Sequence, residues 1–218
     1  MESKRSPGSD PAKIVSLENT RFSAMLIEAN DLDRGAFEKW IFCQGMLFNS
    51  PDKWWGDHGR RDFPHEGLDF CLYRDRSQRI CRLGETCRIP VMRDGVVRAI
   101  FKDYLGQAVI VEHDDSSGAA GRFISFYAHT QPCRGVEVGR AVRAGDIIAT
   151  IADTSHSKAN ILPHLHLSLG IPSTSFSYEG LVWNTIRNPE LMTLLDPLAI
   201  IDGPYRALDA GDPYCCGI

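Results

Sequence analysis

No apolar run in this 218-residue chain approaches the roughly 18 residues needed to span a bilayer, so no membrane-spanning helix is expected. The polar start, Met1 to Pro7, is not followed by an apolar h-region, so no secretory signal is visible. Cysteines at Cys-x-x-Cys spacing are missing, which argues against a structural zinc site built on thiolates. There is no excess of basic charge. Lys and Arg number 24 against 28 Asp and Glu, a formal charge of −4, which argues against nucleic acid as the main partner. Repeats and long low-complexity tracts are absent too. With 43% apolar and 24% charged residues the composition is that of a globular protein, not of a disordered, collagen-like or coiled-coil chain. The seven cysteines are an odd number, so at least one lacks a partner within the chain, and they leave the redox compartment open.

What is present divides along the chain. Residues 1–13 are polar, with Pro7, Gly8 and Pro11, and read as a flexible tail. An N-terminal extension follows over 14–58, where Asn30 or Asp31 could cap a helix running through Phe37, Trp40 and Ile41. From Gly45 to Pro64 turn-forming residues dominate and predict loop. Over 59–171 short runs of Val, Ile, Phe and Tyr recur between glycines, such as Val96–Ile100, Ala108–Val111, Phe123–Tyr127 and Ile147–Ile151. Evenly spaced short strands of this kind predict a mainly β, antiparallel domain. The Arg-rich stretch Arg74–Arg88 reads as a surface insertion between two strands. Residues 172–218 form a C-terminal extension, with a helical signal from Pro189 to Leu195 that Pro197 would end.

The chemistry lies in the histidines. Phe63-Pro64-His65-Glu66-Gly67-Leu68-Asp69 carries a His-x-x-x-Asp, and Pro163-His164-Leu165-His166 a His-x-His. Residues at i and i+2 of a strand share a face, so His164 and His166 project together while Leu165 and Leu167 face the other way. Two histidines and one carboxylate make the three-ligand set of a catalytic zinc, which keeps a fourth position open. Phe126-Tyr127-Ala128-His129 adds another histidine at a strand end. Each motif alone is an ordinary pair of solvated or core residues. All three in this order, with glycines spaced between them, are far more specific.

Together they resemble the lysostaphin-type, or LytM-type, zinc metallopeptidases, whose pattern is His-x-x-x-Asp, then Tyr-x-His, then Pro-His-x-His. The glycine-bearing stretch that this family carries before the last motif stands here as Val138-Gly139-Arg140-Ala141-Val142-Arg143-Ala144-Gly145-Asp146-Ile147-Ile148, and Gly106 to His113 also fits. The resemblance covers about residues 59–170. It implies an antiparallel sheet or β-sandwich core of the duplicated hybrid motif type with an open groove, and short helical or loop extensions at both ends. It implies zinc held by His65, Asp69 and His166, with His129 and His164 as the catalytic, non-ligand histidines. A zinc so held would bring the pKa of a water to about 7, and the two histidines would do acid–base and oxyanion work. The implied activity is a zinc endopeptidase acting on peptidoglycan cross-bridges or stem peptides. Two departures, the stretch Ser155–Leu162 and the pair Leu167-Ser168 where the family often has Phe-Glu, remove no ligand but alter the cleft wall.

Other residues read less specifically. Glu66, next to His65, is expected to point into solvent, and without a His-Glu-x-x-His no glutamate base is available. Trp54 and Trp55 either line the groove or pack. His58, Arg60 and Arg61 read as surface, His113 as structural or exposed, His156 as a loop residue, and the vicinal Cys215-Cys216 as incidental. One alternative is a catalytically silent relative that binds a partner and regulates another wall hydrolase; such relatives commonly lose ligands, and this chain keeps all of them. The other is a lipoyl- or biotinyl-type carrier, which the lack of a lysine in an Asp-Lys-Ala-like turn argues against. The implied substrate lies outside the cytoplasm, so the chain is expected to be exported and read here without its leader.

Overall fold

The computed structural model describes residues 20–114, 122–158, 160–209 and 212–216; the expected tail at 1–13 lies outside them. Helix α1 (Phe22–Ala29) precedes β1 (Phe37–Cys43), and β2 (Leu68–Phe70), β3 (Leu72–Asp75), β4 (Ile80–Arg82) and β5 (Arg88–Pro90) follow. Then come β6 (Gly95–Lys102), β7 (Gln107–Asp114), β8 (Arg122–Pro132), β9 (Ala141–Val142), β10 (Ile147–Ile151) and β11 (Leu165–Pro172). The chain continues through α2 (Trp183–Arg187), β12 (Met192–Leu195), β13 (Tyr205–Leu208) and α3 (Pro213–Cys216). No helix among the described residues is long and apolar enough to cross a membrane.

The mainly β, antiparallel architecture is as expected. A nine-stranded sheet runs β12-β11-β8-β7-β6-β9, with β2 on β11 and β10 joining β8 to β5. Its central strands are apolar on both faces, because each face has a core to fill. Along β7, Val109 and Val111 enter the main core while Ala108 and Ile110 enter a second, smaller one. On β8, Phe123 and Tyr127 face the main core, and Ile124, Phe126 and Ala128 face the second. On β11, Leu165, Leu167 and Leu169 all face the main core, so the alternate positions His166 and Ser168 turn to the opposite side.

A second sheet, β13-β1-β3-β4, joins the two extensions. Four expectations need correcting. Phe37, Trp40 and Ile41 lie on a strand, not a helix; the helix is earlier, at 22–29. The spacing misleads because β1 lies between β13 and β3 and buries Trp40, Ile41, Phe42 and Cys43 in a row, which leaves no alternation to read. Asp31 and Ala36 also adopt positive φ, 53° and 60°, which breaks any helix across them. At the other end the helix is α2, over 183–187, and Met192–Leu195 is an edge strand on β11. The stretch Arg74–Arg88 is not a plain surface insertion: it holds the end of β3 and β4 of the second sheet and the start of β5. Cys215 is not incidental, since it forms a disulfide with Cys43 across a sequence separation of 172 and ties α3 to the end of β1.

Candidate metal centre and its cleft

Strand pairing assembles the two distant motifs. In the β2–β11 ladder Asp69 stands directly opposite His166, and His166 in turn pairs with Ala128 on β8. Gly67 lets this happen: a Cβ there would lie 2.3 Å from Leu167 O and 2.7 Å from Ser168 Oγ. His65 sits in the loop before β2. Its backbone N–H donates to Ser50 O, and its carbonyl accepts from Asn49 N–H.

Three donor atoms converge. Asp69 Oδ1 lies 3.1 Å from His65 Nε2 and 2.9 Å from His166 Nδ1, and those nitrogens are 3.0 Å apart. All three residues are buried. The outer nitrogens explain the chemistry. His65 Nδ1 lies 3.0 Å from Leu47 O, a carbonyl that can only accept, so the ring's proton is there and Nε2 presents a bare lone pair. Ser168 Oγ, 2.7 Å from His166 Nε2, can accept that ring's proton in the same way. Two lone pairs and a carboxylate oxygen then face one another, an arrangement that repels itself unless a cation lies among them. The spacings approach the roughly 3.3 Å between neighbouring donors of a tetrahedral zinc, so the residues fit the ion.

Asp69 is held from its other oxygen by the Trp54 indole, whose Nε1–H donates to Oδ2 at 2.7 Å, with Arg61 Nη2 at 3.8 Å. Of the two readings for the tryptophans, Trp54 is buried and bonded to Asp69, while Trp55 lines the cleft. Trp54 also meets the His164 ring edge-on, centroids 5.0 Å apart.

His164 and His129 flank the triad. His164 Nδ1 donates to Leu162 O at 2.8 Å, and its Nε2 lies 3.8 Å from Asp69 Oδ1. Burial drives its pKa down to about 3 against the pull of Asp69, which keeps the ring neutral. The His129 ring lies 4.8 Å from that of His164 and 5.6 Å from that of His166. His129 sits in a β-bulge: β7 and β8 pair Gln107 with Thr130 but Val109 with Tyr127, so Ala128 and His129 oppose Ala108 alone. Its φ is +60°, a left-handed conformation that is rare for a side-chain-bearing residue.

These residues open into one cleft of about 170 Å³, smaller than pockets that enclose whole ligands and suited to a short stretch of a longer chain. Trp55, Arg61, Tyr104, Leu105, Trp183 and Arg187 form its walls. Three expectations change here. Glu66 is not solvated but 7% exposed, paired with Arg187 Nε, and Arg187 also lies over the Phe63 ring. Arg61 is not a surface residue, since it stacks 4.4 Å from the Trp55 ring and donates to Asp52 O and Gly45 O. His113 resolves to structural, fully buried away from the cleft. Asp103, Tyr104, Trp183 and Arg187 carried no motif. Asp103-Tyr104-Leu105-Gly106 reads as a turn and nothing more.

A family model described as peptidase family M23 matches residues 81–176. The match covers under half of the chain; it includes His129, His164 and His166 and begins after His65 and Asp69. The solution structure of lysostaphin is similar over 92% of this chain and 65% of that one, with 19% identity and a TM-score of 0.46. A chain from Ruminococcus gnavus named for a LytM glycyl-glycine endopeptidase is similar over 62% of this chain and 45% of its own, at 18% identity and a TM-score of 0.39. For the catalytic domain of the prophage-encoded M23 protein EnpA from Enterococcus faecalis the shares are 55% and 78%, at 20% identity and a TM-score of 0.36. The chain therefore spans just under two thirds of the lysostaphin structure and under half of the Ruminococcus one. No curated protein matches the chain.

Proposed function

We propose that the chain is a zinc-dependent endopeptidase that hydrolyses peptide bonds in peptidoglycan cross-bridges or stem peptides. His65, Asp69 and His166 hold the metal in this reading, and His129 and His164 are the catalytic residues. The observation that carries it is the convergence of two imidazole nitrogens and one buried carboxylate oxygen, within 3.1 Å of one another, at the floor of an open cleft. When bound, zinc supplies Lewis acidity and lowers the pKa of a water. The protein's own groups do the rest. Trp54 and Leu47 hold Asp69 and His65 in orientation. The Nδ1 proton of His164, fixed on Leu162 O, turns its Nε2 toward the centre as an acceptor. His129 and His164 handle the proton that leaves the attacking water and returns to the leaving amine, and the ring that holds that proton steadies the charge on the scissile carbonyl. The wall-peptide substrate rests on the motif resemblance. The Cys43–Cys215 disulfide supports an oxidising, extracytoplasmic setting.

The test is hydrolysis of purified peptidoglycan and of a glycine-rich peptide by zinc-loaded protein, with and without a chelator. Cleavage that a chelator abolishes is expected, as are His129→Ala and His164→Ala variants that keep zinc and lose about 10²- to 10⁴-fold in rate. Chelator-resistant cleavage would end the zinc reading. A zinc-loaded chain that cleaves no wall peptide would favour the silent, regulatory alternative.

A further inference from the structure

Asp103 lies in the tight turn between β6 and β7, and its side chain is fully buried although it makes no ion pair with Lys or Arg. Its Oδ1 accepts from the backbone N–H groups of Leu105, at 3.0 Å, and Gly106, at 2.7 Å. Its Oδ2 accepts the His129 backbone N–H at 2.7 Å, the donor that the β-bulge releases from the sheet. The carboxylate is thus locked in place by three amides. Facing it, His129 Nδ1 lies 3.3 Å from Oδ2, and among the described residues it is the one buried side-chain nitrogen or oxygen with no hydrogen-bonded partner. At 3.3 Å the contact is long for a hydrogen bond, and such bonds commonly close only when substrate is bound. His164 has no comparable support, because the one carboxylate near it is Asp69, already engaged by His65, His166 and Trp54.

We propose that Asp103 is the positioning residue of His129: its amide-anchored carboxylate keeps the His129 proton on Nδ1, turns the Nε2 lone pair to the cleft, and supplies the counter-charge for the imidazolium that forms when Nε2 takes a proton. This rests on the peptidase reading and divides the labour within it. His129 carries the proton, and His164, tied to Leu162 O, orients and accepts. The backbone strain at His129 fits the same purpose, since the bulge aims the ring at both the carboxylate and the cleft.

The variant that isolates the charge is Asp103→Asn. An amide oxygen placed on Leu105 and Gly106 keeps the turn and gives up only the bond from the His129 backbone N–H; its NH₂ then faces the His129 ring and forces Nδ1 to accept, which moves the proton to Nε2. The opposite amide orientation would set NH₂ against two backbone donors and is disfavoured. Long-range ¹H–¹⁵N NMR of the zinc-loaded full chain reads the tautomer directly. We expect His129 protonated at Nδ1 in the wild type and at Nε2 in Asp103→Asn. Zinc content should be unchanged, kcat should fall about 10²- to 10⁴-fold, and KM should stay within a few-fold. Wild-type His129 protonated at Nε2 overturns the proposal whatever the variant does, folded or not. So does an Asp103→Asn protein that keeps Nδ1 protonated or retains kcat. Nδ1 protonation in a wild type that cleaves no peptide would leave the positioning in place and fault the peptidase reading instead.

Discussion

His113 and His166 are buried histidines on neighbouring parts of one sheet, and each sets Nε2 2.7 Å from a serine hydroxyl, Ser125 and Ser168. Their other nitrogens differ. His113 Nδ1 donates to Asp94 O at 3.0 Å, so the ring is satisfied at both ends and complete without a ligand. His166 Nδ1 meets a second imidazole nitrogen and a carboxylate, the partner set of a candidate metal ligand. Burial, strand position and a serine neighbour are common to both, and the two histidines differ in the partner of the second nitrogen.

The largest expected effect lies at His113. Burial lowers the His113 pKa from 6.5 to about 4. A pKa depressed on folding means that the unfolded chain binds more protons between these values, so the contribution is whole above pH 6.5 and is lost as pH falls to 4. It amounts to about 3 kcal/mol at pH 4. His113→Asn, whose amide can still donate to Asp94 O, should show a stability curve shallower by that amount in denaturant unfolding at pH 4 to 7, with zinc content unchanged. A pH slope equal to the wild type would mean that His113 is not held neutral by burial.

A smaller effect sharpens the functional end. Trp54→Phe keeps the ring and removes the N–H that orients Asp69 Oδ2. Loss of such a partner to a ligand typically costs 10- to 100-fold in metal affinity, and competition with a chromogenic chelator would measure it. Unchanged affinity would reduce Trp54 to packing.

Much of the candidate site was legible in the chain because its signals are local. On β11 Leu165 and Leu167 pack in the main core and His166 faces the other way, while His164 stands just before the strand. The order of the motifs carried the rest, by resemblance to a family whose model matches residues 81–176. What stayed hidden depends on residues far apart in sequence. Trp54 and Asp69 are bonded, yet nothing in the loop after Gly45 marks that contact. Asp103 reads as a turn former, because the bulge that delivers the His129 N–H to it leaves no trace in composition. Glu66 was expected in solvent because no sequence signal announces Arg187, 121 residues on. The extensions misled for a simpler reason: β1 is buried on both faces and β12 is a short apolar edge strand, and neither pattern tells strand from helix.

The donor triad underlies every role proposed for the cleft. Zinc content after exhaustive dialysis, measured on the wild type, His166→Ala and His113→Asn, tests it most directly. About one zinc per chain is expected in the wild type and in His113→Asn, and almost none in His166→Ala, because two protein donors hold the ion too weakly. Full zinc occupancy in a folded His166→Ala protein, or its loss in a folded His113→Asn protein, would contradict the assignment.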